Sequence, residues 1–167
     1  MLYNDGRHCS RREEGEAKTR AGLVLLLFAV CGCSLYAQSN AFLDEFLEIE
    51  QAPLGDTIRL TLTAARAIPE NGSTDQALAV IENKGWSIDT ADNARPVSLG
   101  TFCYLLMRSF NIPGGIMYRI FPGPRYAARE LDYLGMIPGS TNPARSVSGE
   151  EVIRMLGTVL DWQERQP

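Results

Sequence analysis

The sequence predicts an all-α protein in which two to three helix-loop-helix repeats stack in one compact domain. Three observations support this fold class. After residue 40, apolar side chains recur at the spacing of helices that bury one face. The one segment that alternates like a strand has no partner strand elsewhere in the sequence. The chain also matches itself at a shift of fifty positions, a period typical of stacked helical units.

The composition is that of an ordinary folded protein of one domain, with 167 residues, 45% of them hydrophobic and 22% charged. The formal net charge of −4 argues against binding of nucleic acid or an anionic membrane by bulk electrostatics, although local arginine clusters remain. The only histidine, His8, lies ahead of the apolar run near the N-terminus. Without a later histidine, a phosphate-binding glycine loop or an activated nucleophile, the sequence predicts no enzyme, no metal site and no cofactor.

Residues 1–37 are interpreted as a signal peptide with an N-terminal extension, and residues 38–167 as the helical domain. Ala21–Val30 is an apolar run that follows Lys18 and Arg20, which is the layout of a secretory signal and too short for a membrane span. The alternative is a buried helix of the mature domain, but the run lacks the charged spacing of an amphipathic helix. The sequence therefore predicts export to the periplasm or cell envelope.

Two cleavage chemistries compete at the end of this run. Cleavage after Ala37 would release a soluble chain. The stretch Val30–Cys33 instead resembles a bacterial lipobox, in which Cys33 becomes the lipid-bearing first residue of an outer-membrane lipoprotein. Either cleavage leaves Cys103 without an intramolecular disulfide partner, and we interpret Cys103 as a small buried hydrophobe rather than a nucleophile.

The first helix-loop-helix unit is predicted over residues 40–68. Asn40–Glu50 has the pattern of an amphipathic helix with Asn40 as its cap, and a break at Pro53 follows. The next segment is ambiguous, because Ile58–Thr63 alternates apolar and polar residues like a half-buried strand. The sequence continues without a hairpin signal, so we predict a helix over Asp56–Ile68, capped at its first two residues.

Residues 74–110 predict the second unit. Ser73 or Thr74 is placed to cap a helix that closes near Gly85. After a polar loop, Leu99–Phe110 predicts a helix that is apolar on more than one face and therefore central to the core.

Residues 125–162 predict the third unit on the same plan. A first helix ends at Gly135, a loop covers Pro138–Arg145, and Ser148 caps a last helix that extends through Trp162.

The second and third units match at the shift of fifty positions. Units of this size must pack on one another, because neither can bury its apolar face alone. The identical pairs are Ala77 and Ala127, Gly85 and Gly135, Ala94-Arg95 and Ala144-Arg145, Val97-Ser98 and Val147-Ser148, and Leu106 and Leu156.

The segment Asn111–Glu130 joins the two matching units. Its prolines and glycines forbid a continuous helix, yet its aliphatic and aromatic residues are too apolar for a solvated linker. We therefore expect neighbouring elements to cover them.

Six side chains of this segment form the candidate partner-binding surface. If they are exposed, their rings offer flat apolar faces to sugars and their arginines offer a bidentate fork to carboxylates. The alternative is packing between the units, with Arg125 and Arg129 paired to Glu130 or Asp132. The six are Tyr118, Arg119, Phe121, Arg125, Tyr126 and Arg129.

The plan of the two matching units resembles the S-layer homology repeat of bacterial envelope proteins. The resemblance covers Asp75–Phe110 and Arg125–Asp161, with Thr57–Ile68 as a remnant, and rests on a helix ending in Lys-Gly-Trp or Leu-Gly-Met-Ile, a loop and a Val-Ser step. It implies an exported, all-helical protein of a kind that often anchors to cell-wall polysaccharide. The family's Thr-Arg-Ala-Glu motif is replaced by Ser98–Thr101 and Ser148–Glu151. The resemblance therefore implies the family's fold for this chain but not its ligand site.

Together these observations predict a non-catalytic structural or binding module of the bacterial cell envelope, whose partner is an envelope glycan or an envelope protein. A lipoprotein accessory subunit of a membrane assembly is the alternative, and a periplasmic hydrolase that uses carboxylates is a third hypothesis. We expect no nucleic-acid partner, and contact with a membrane only through a lipid anchor at Cys33.

Overall fold

The computed structural model describes residues 41–166, so the predicted signal peptide, both cleavage sites, Cys33 and Asn40 lie outside the described residues. The described residues form helices and no strand, which confirms the all-α class. The helices are α1 (41–47), α2 (Leu54–Ala64), α3 (Thr74–Asn83), α4 (Leu99–Ser109), α5 (Ile116–Ile120), α6 (Pro124–Tyr133) and α7 (Gly149–Glu164).

The chain divides into two compact units between Asp44 and Glu45, and the second unit contains every helix from α2 onward. None of the helices within residues 41–166 has the length and apolar character needed to cross a bilayer.

The ambiguous segment is helical, as predicted, and its threonines explain why it resembles a strand. The Thr57 hydroxyl donates to the carbonyl of Pro53 at 2.8 Å, and the Thr61 hydroxyl donates to the carbonyl of Thr57 at 2.7 Å. Because these bonds satisfy both hydroxyls inside the helix, the two threonines are fully buried like the aliphatic residues beside them.

The predicted bounds of this helix are wrong at both ends. It starts at Leu54 rather than Asp56, with Pro53 as an N-cap that makes no side-chain hydrogen bond. It ends at Ala64 rather than Ile68, because Arg66 has a φ of 56°, which no helix can accommodate.

The predicted caps at Ser73 and Ser148 are confirmed, and Ser98 forms a third serine cap. Ser73 forms a reciprocal capping box with Gln76 at the start of α3. The Ser98 and Ser148 hydroxyls accept the backbone N–H groups of residues 101 and 151 at the starts of α4 and α7. Gly85 and Gly135 adopt φ values of 61° and 70° just after α3 and α6, where a glycine is favoured.

Helix α4 forms the centre of the core, as its apolar pattern predicts. It packs on α6 and α2, and α2 also packs on α3 and α7. Eight of its eleven residues are buried, so α4 has apolar neighbours on nearly every side. They are Leu99, Gly100, Phe102, Cys103, Tyr104, Leu105, Leu106 and Met107.

Three fully buried residues, Ala52, Val97 and Val147, form a closed ring of backbone hydrogen bonds, called here the backbone ring. The N–H of Ala52 donates to the carbonyl of Val147 at 2.8 Å, that of Val147 to Val97 at 3.2 Å, and that of Val97 to Ala52 at 2.9 Å. Each member lies two residues before the first residue of α2, α4 or α7. The backbone ring therefore fixes the starts of three helices against one another.

The first N–H group of each of these helices is also satisfied by another segment. Leu54 donates to the carbonyl of Arg95 at 2.9 Å and Leu99 to that of Arg145 at 2.8 Å. Gly149 donates to the carbonyl of Ile49 at 2.9 Å. A helix leaves its first N–H groups unpaired, so these contacts allow the three starts to be buried without a polar penalty.

Candidate functional site

The candidate site lies on α5 and α6, which proline and glycine separate from the rest of the chain. α5 is a helix of five residues with Gly115 as its N-cap, and it ends before Pro122. α6 begins at Pro124, a residue that suits the first turn of a helix because it needs no N–H partner there. The predicted interruption of the helix in Asn111–Glu130 is confirmed, and a separate short helix occupies it.

Tyr118 points into the protein and lies outside the exposed surface. It is 7% exposed, and its ring centroid lies 6.5 Å from that of Tyr104 on α4. Its hydroxyl is buried without a hydrogen-bond partner among the described residues. Burial raises the pKa of the Tyr118 hydroxyl to about 12, although the nearby Arg108 opposes the shift. Tyr118 thus packs α5 against α4.

The other five predicted site residues are accessible. Arg119, Phe121, Arg125 and Arg129 are exposed, and Tyr126 is half-buried. Arg125 and Arg129 lie one turn apart on α6, whose opposite side buries Ala127, Ala128 and Leu131.

The predicted ion pairs of Arg125 and Arg129 with Glu130 or Asp132 do not form. The Glu130 side chain instead lies beside Gly115, close enough that a Cβ there would come within 2.8 Å of its Oε1. Within residues 41–166, Arg119, Arg125 and Arg129 make no ion pair and no side-chain hydrogen bond. Three guanidinium groups are therefore free to bind an anion.

The expectation that neighbouring elements cover the apolar residues of this segment is confirmed for Tyr118 and wrong for four others. Ile116, Met117, Ile120 and Phe121 are 75%, 48%, 59% and 60% exposed. Tyr118 lies on the side of α5 that turns toward the core, whereas Ile116 and Ile120, four residues apart, share another side. The residues Ile116, Met117, Arg119, Ile120, Phe121, Arg125 and Arg129 are called the α5–α6 surface below.

The surrounding sequence makes this surface locally basic. Between Asp92 and Glu130 the chain contains five arginines and no aspartate or glutamate. Residues 45–92, by contrast, contain nine acidic and three basic side chains. This difference in charge is visible in the sequence and could have singled out the segment independently of its aromatic residues.

The structure supports the interpretation of Cys103 as a buried hydrophobe. The thiol is buried in α4, and this burial raises its pKa to about 12, with a smaller opposing effect from Arg145. Arg145 forms a bidentate ion pair with Glu151 and also donates to the carbonyl of Ser140 at 2.7 Å. In the part of the chain that is described, no group of three or more His, Cys, Asp or Glu side chains is arranged to hold a metal ion.

An open groove lies at the starts of α2 and α3, beside Asn93 and Ala94. Its charged side chains are the carboxylates of Asp56 and Asp75. The groove therefore disfavours an anionic ligand, whereas the α5–α6 surface favours one.

Compared with known proteins, the chain matches no protein-family model, no curated protein and no solved structure.

Proposed function

We propose that this protein is an exported, non-catalytic binding module of the bacterial cell envelope and that the α5–α6 surface is its binding face. The observation that carries the proposal is the exposure, on one short segment, of four large apolar side chains beside three arginines that make no ion pair within residues 41–166. An exposed apolar patch bordered by polar groups is characteristic of interaction sites, because water disfavours such a patch when nothing covers it. Arginine adds a planar fork for carboxylate or phosphate groups.

The proposed architecture is a degenerate S-layer-homology-like arrangement of three units, at about 40–68, 74–110 and 125–162. Hydrogen bonds at the shift of fifty positions support it. The N–H of Gly85 donates to the carbonyl of Glu82, and that of Gly135 to the carbonyl of Asp132, both at 2.9 Å.

A second matching pair lies in the loops. The N–H of Ala94 donates to the Asp92 carboxylate at 3.2 Å, and that of Ala144 to the Asn142 side chain at 3.0 Å. The backbone ring supports a third unit, since it contributes one residue before each of three helices.

The proposal is tested by retention of the full chain on isolated cell envelopes. The Arg119→Ala/Arg125→Ala variant should lose at least about tenfold in retention, because each charge-assisted hydrogen bond contributes more than about 1 kcal/mol. The control, Arg154→Ala/Arg165→Ala, removes the same charge from exposed positions on or next to α7 and should be retained like the unchanged protein. Equal retention of both variants, with unchanged helical content, would contradict the proposal.

The aliphatic character of α5 supports a second candidate, an accessory subunit of a membrane assembly with a lipid anchor at Cys33. Ile116 and Ile120 suit an apolar protein groove better than they suit a sugar ring. This candidate predicts that the protein copurifies with a membrane protein and has no affinity for envelope glycans.

A further inference from the structure

We propose that the α5–α6 surface docks on an anionic phospholipid membrane, with the α5 side chains entering the interface and the three arginines binding lipid phosphates. This inference rests on the proposed binding role of that surface and names the chemistry of its partner. It departs from the sequence-based expectation that only a lipid anchor would contact a membrane.

The exposed side chains fit a lipid interface better than a glycan. Sugars stack on flat aromatic faces, and of the three predicted aromatic residues only Phe121 is exposed, at 60%. The other two apolar side chains of this surface that are more than half exposed, Ile116 and Ile120, are aliphatic, at 75% and 59%. Aliphatic chains with one ring at the end of a short helix can enter the boundary between lipid headgroups and acyl chains.

The small size of the apolar patch argues against a protein partner or a second copy of this chain. The four exposed apolar side chains of the α5–α6 surface all lie within 116–121. A stable protein interface buries about 800 Å² on each side and involves roughly 20 to 30 residues. Peripheral membrane binding requires fewer apolar side chains, because basic residues also contribute to the binding free energy.

The charges complement an anionic membrane. Arg119 lies within the apolar run, Arg125 follows Phe121 by four residues, and Arg129 lies one turn farther along α6. Since none of the three arginines is paired within the described residues, binding of phosphate breaks no existing ion pair. The nearest acidic residue after them in sequence is Glu130, which lies beside Gly115.

The acidic remainder of the chain determines how the protein is oriented on the membrane. The net charge of −4 keeps most of the molecule away from an anionic surface. The stretch between Asp92 and Glu130, which holds five arginines and no carboxylate, is the part that such a surface attracts. Local charge, rather than net charge, therefore determines which face meets the lipid.

The test is sedimentation of the full chain with vesicles of phosphatidylcholine, with and without phosphatidylglycerol, at low salt. The residues before 41 are present in every variant and contribute equally to binding. We expect phosphatidylglycerol to increase binding. The Arg119→Gln/Arg125→Gln/Arg129→Gln variant should reduce that binding on the order of 100-fold, since each arginine contributes roughly fivefold to the partition coefficient.

Two matched controls separate this site from general surface effects. Arg66→Gln/Arg154→Gln/Arg165→Gln removes the same charge from exposed positions elsewhere and should change binding by less than a factor of about three. Ile120→Ser should weaken binding, whereas Tyr133→Ser, at a residue that is 88% exposed, should not. The inference is overturned if site and control variants bind alike, or if phosphatidylglycerol makes no difference.

Retention on envelopes distinguishes failure of this inference from failure of the proposed function. If retention depends on Arg119 and Arg125 but the vesicles bind no protein, the partner is a glycan or a protein and the lipid inference is wrong. If neither retention nor vesicle binding depends on these arginines, both proposals are wrong. Loss of retention together with loss of vesicle binding in the same variants supports both.

Discussion

The members of the backbone ring and the apolar residues of the α5–α6 surface all lie within two residues of a proline or glycine, but they have opposite environments. Ala52, Val97 and Val147 are fully buried, and each lies just before a helix of eleven residues or more that packs into the core. Ile116 and Ile120 belong to a helix of five residues and remain exposed. Tyr118 of the same short helix is buried against α4, so burial depends on whether a neighbouring element covers the side chain and not on helix length alone.

The largest effect that we predict distinguishes two glycines of α7. Gly149 starts the helix against Phe46, and a Cβ there would overlap the Phe46 carbonyl oxygen. Gly149→Ala should therefore lower the free energy of unfolding by more than about 3 kcal/mol, because a backbone atom cannot move aside as a side chain can. Urea denaturation followed by circular dichroism measures it.

Gly157→Ala is the matched control on the same helix. A Cβ at Gly157 would meet no atom within 4 Å, so alanine should raise the free energy of unfolding by about 0.5 to 1 kcal/mol. If Gly149→Ala lowers stability by no more than Gly157→Ala changes it, the start of α7 is not tightly packed against Phe46.

A smaller effect is expected at the ion pair beside the backbone ring. Glu151 binds Arg145 with two hydrogen bonds, and both side chains are largely buried, at 15% and 23% exposure. Glu151→Ala should cost about 1 to 3 kcal/mol, because Arg145 loses a charged partner in a partly buried position. Its neighbour Glu150 pairs with Arg154 in solvent, and Glu150→Ala should cost less than about 0.5 kcal/mol. Equal costs for the two substitutions would rule out a stabilising role for the buried pair.

The smallest predicted change in stability is at Tyr118, where α5 packs against the core. Tyr118→Phe removes a buried hydroxyl that has no partner among the described residues, so near neutral pH we expect stability to stay constant or rise by up to about 1 kcal/mol. A loss of stability of more than about 1 kcal/mol would indicate that the Tyr118 hydroxyl has a hydrogen-bond partner.

The same variant has a signature in alkali. The pKa of Tyr118 is raised from 10.0 to about 12, so the folded state holds this proton more tightly than the unfolded state does. The stabilisation is fully present below pH 10 and is lost as the pH rises toward 12. Tyr118→Phe should therefore lose less stability than the unchanged protein between pH 10 and pH 12, as measured by thermal unfolding.

Local patterns in the sequence predicted much of the fold. The serine caps, the glycines after α3 and α6 and the apolar faces of α4 each depend on residues within a few positions, so they could be recognised without the structure. The start of α2 was misplaced, because Leu54 and Gly55 pair with the backbone of Arg95 and Asn93, about forty residues away. The backbone ring has no sequence signature, since its hydrogen bonds involve main-chain groups that every residue has.

The candidate surface was predicted only in part, for a related reason. Proline and glycine indicated the interruptions around α5, and the arginines indicated local charge. Which side of a five-residue helix faces inward depends on the position of Tyr104, so the burial of Tyr118 and the exposure of Ile116 and Ile120 could not be inferred. The failure of Glu130 to pair with Arg125 or Arg129 depends likewise on where Gly115 lies.

Methionine oxidation offers the most direct test of the claim that the α5–α6 surface is the contact face. Met117 is 48% exposed, whereas Met107, Met136 and Met155 are at most 3% exposed, so the unaltered protein carries its own probe and its own controls. In the free full chain, dilute peroxide should convert Met117 to its sulfoxide first among the four methionines within residues 41–166, as read by peptide mass spectrometry. On isolated envelopes, we expect Met117 to become protected while the three buried methionines remain unreactive as before. Oxidation of Met117 at the same rate in free and envelope-bound protein would show that the α5–α6 surface is not the contact face.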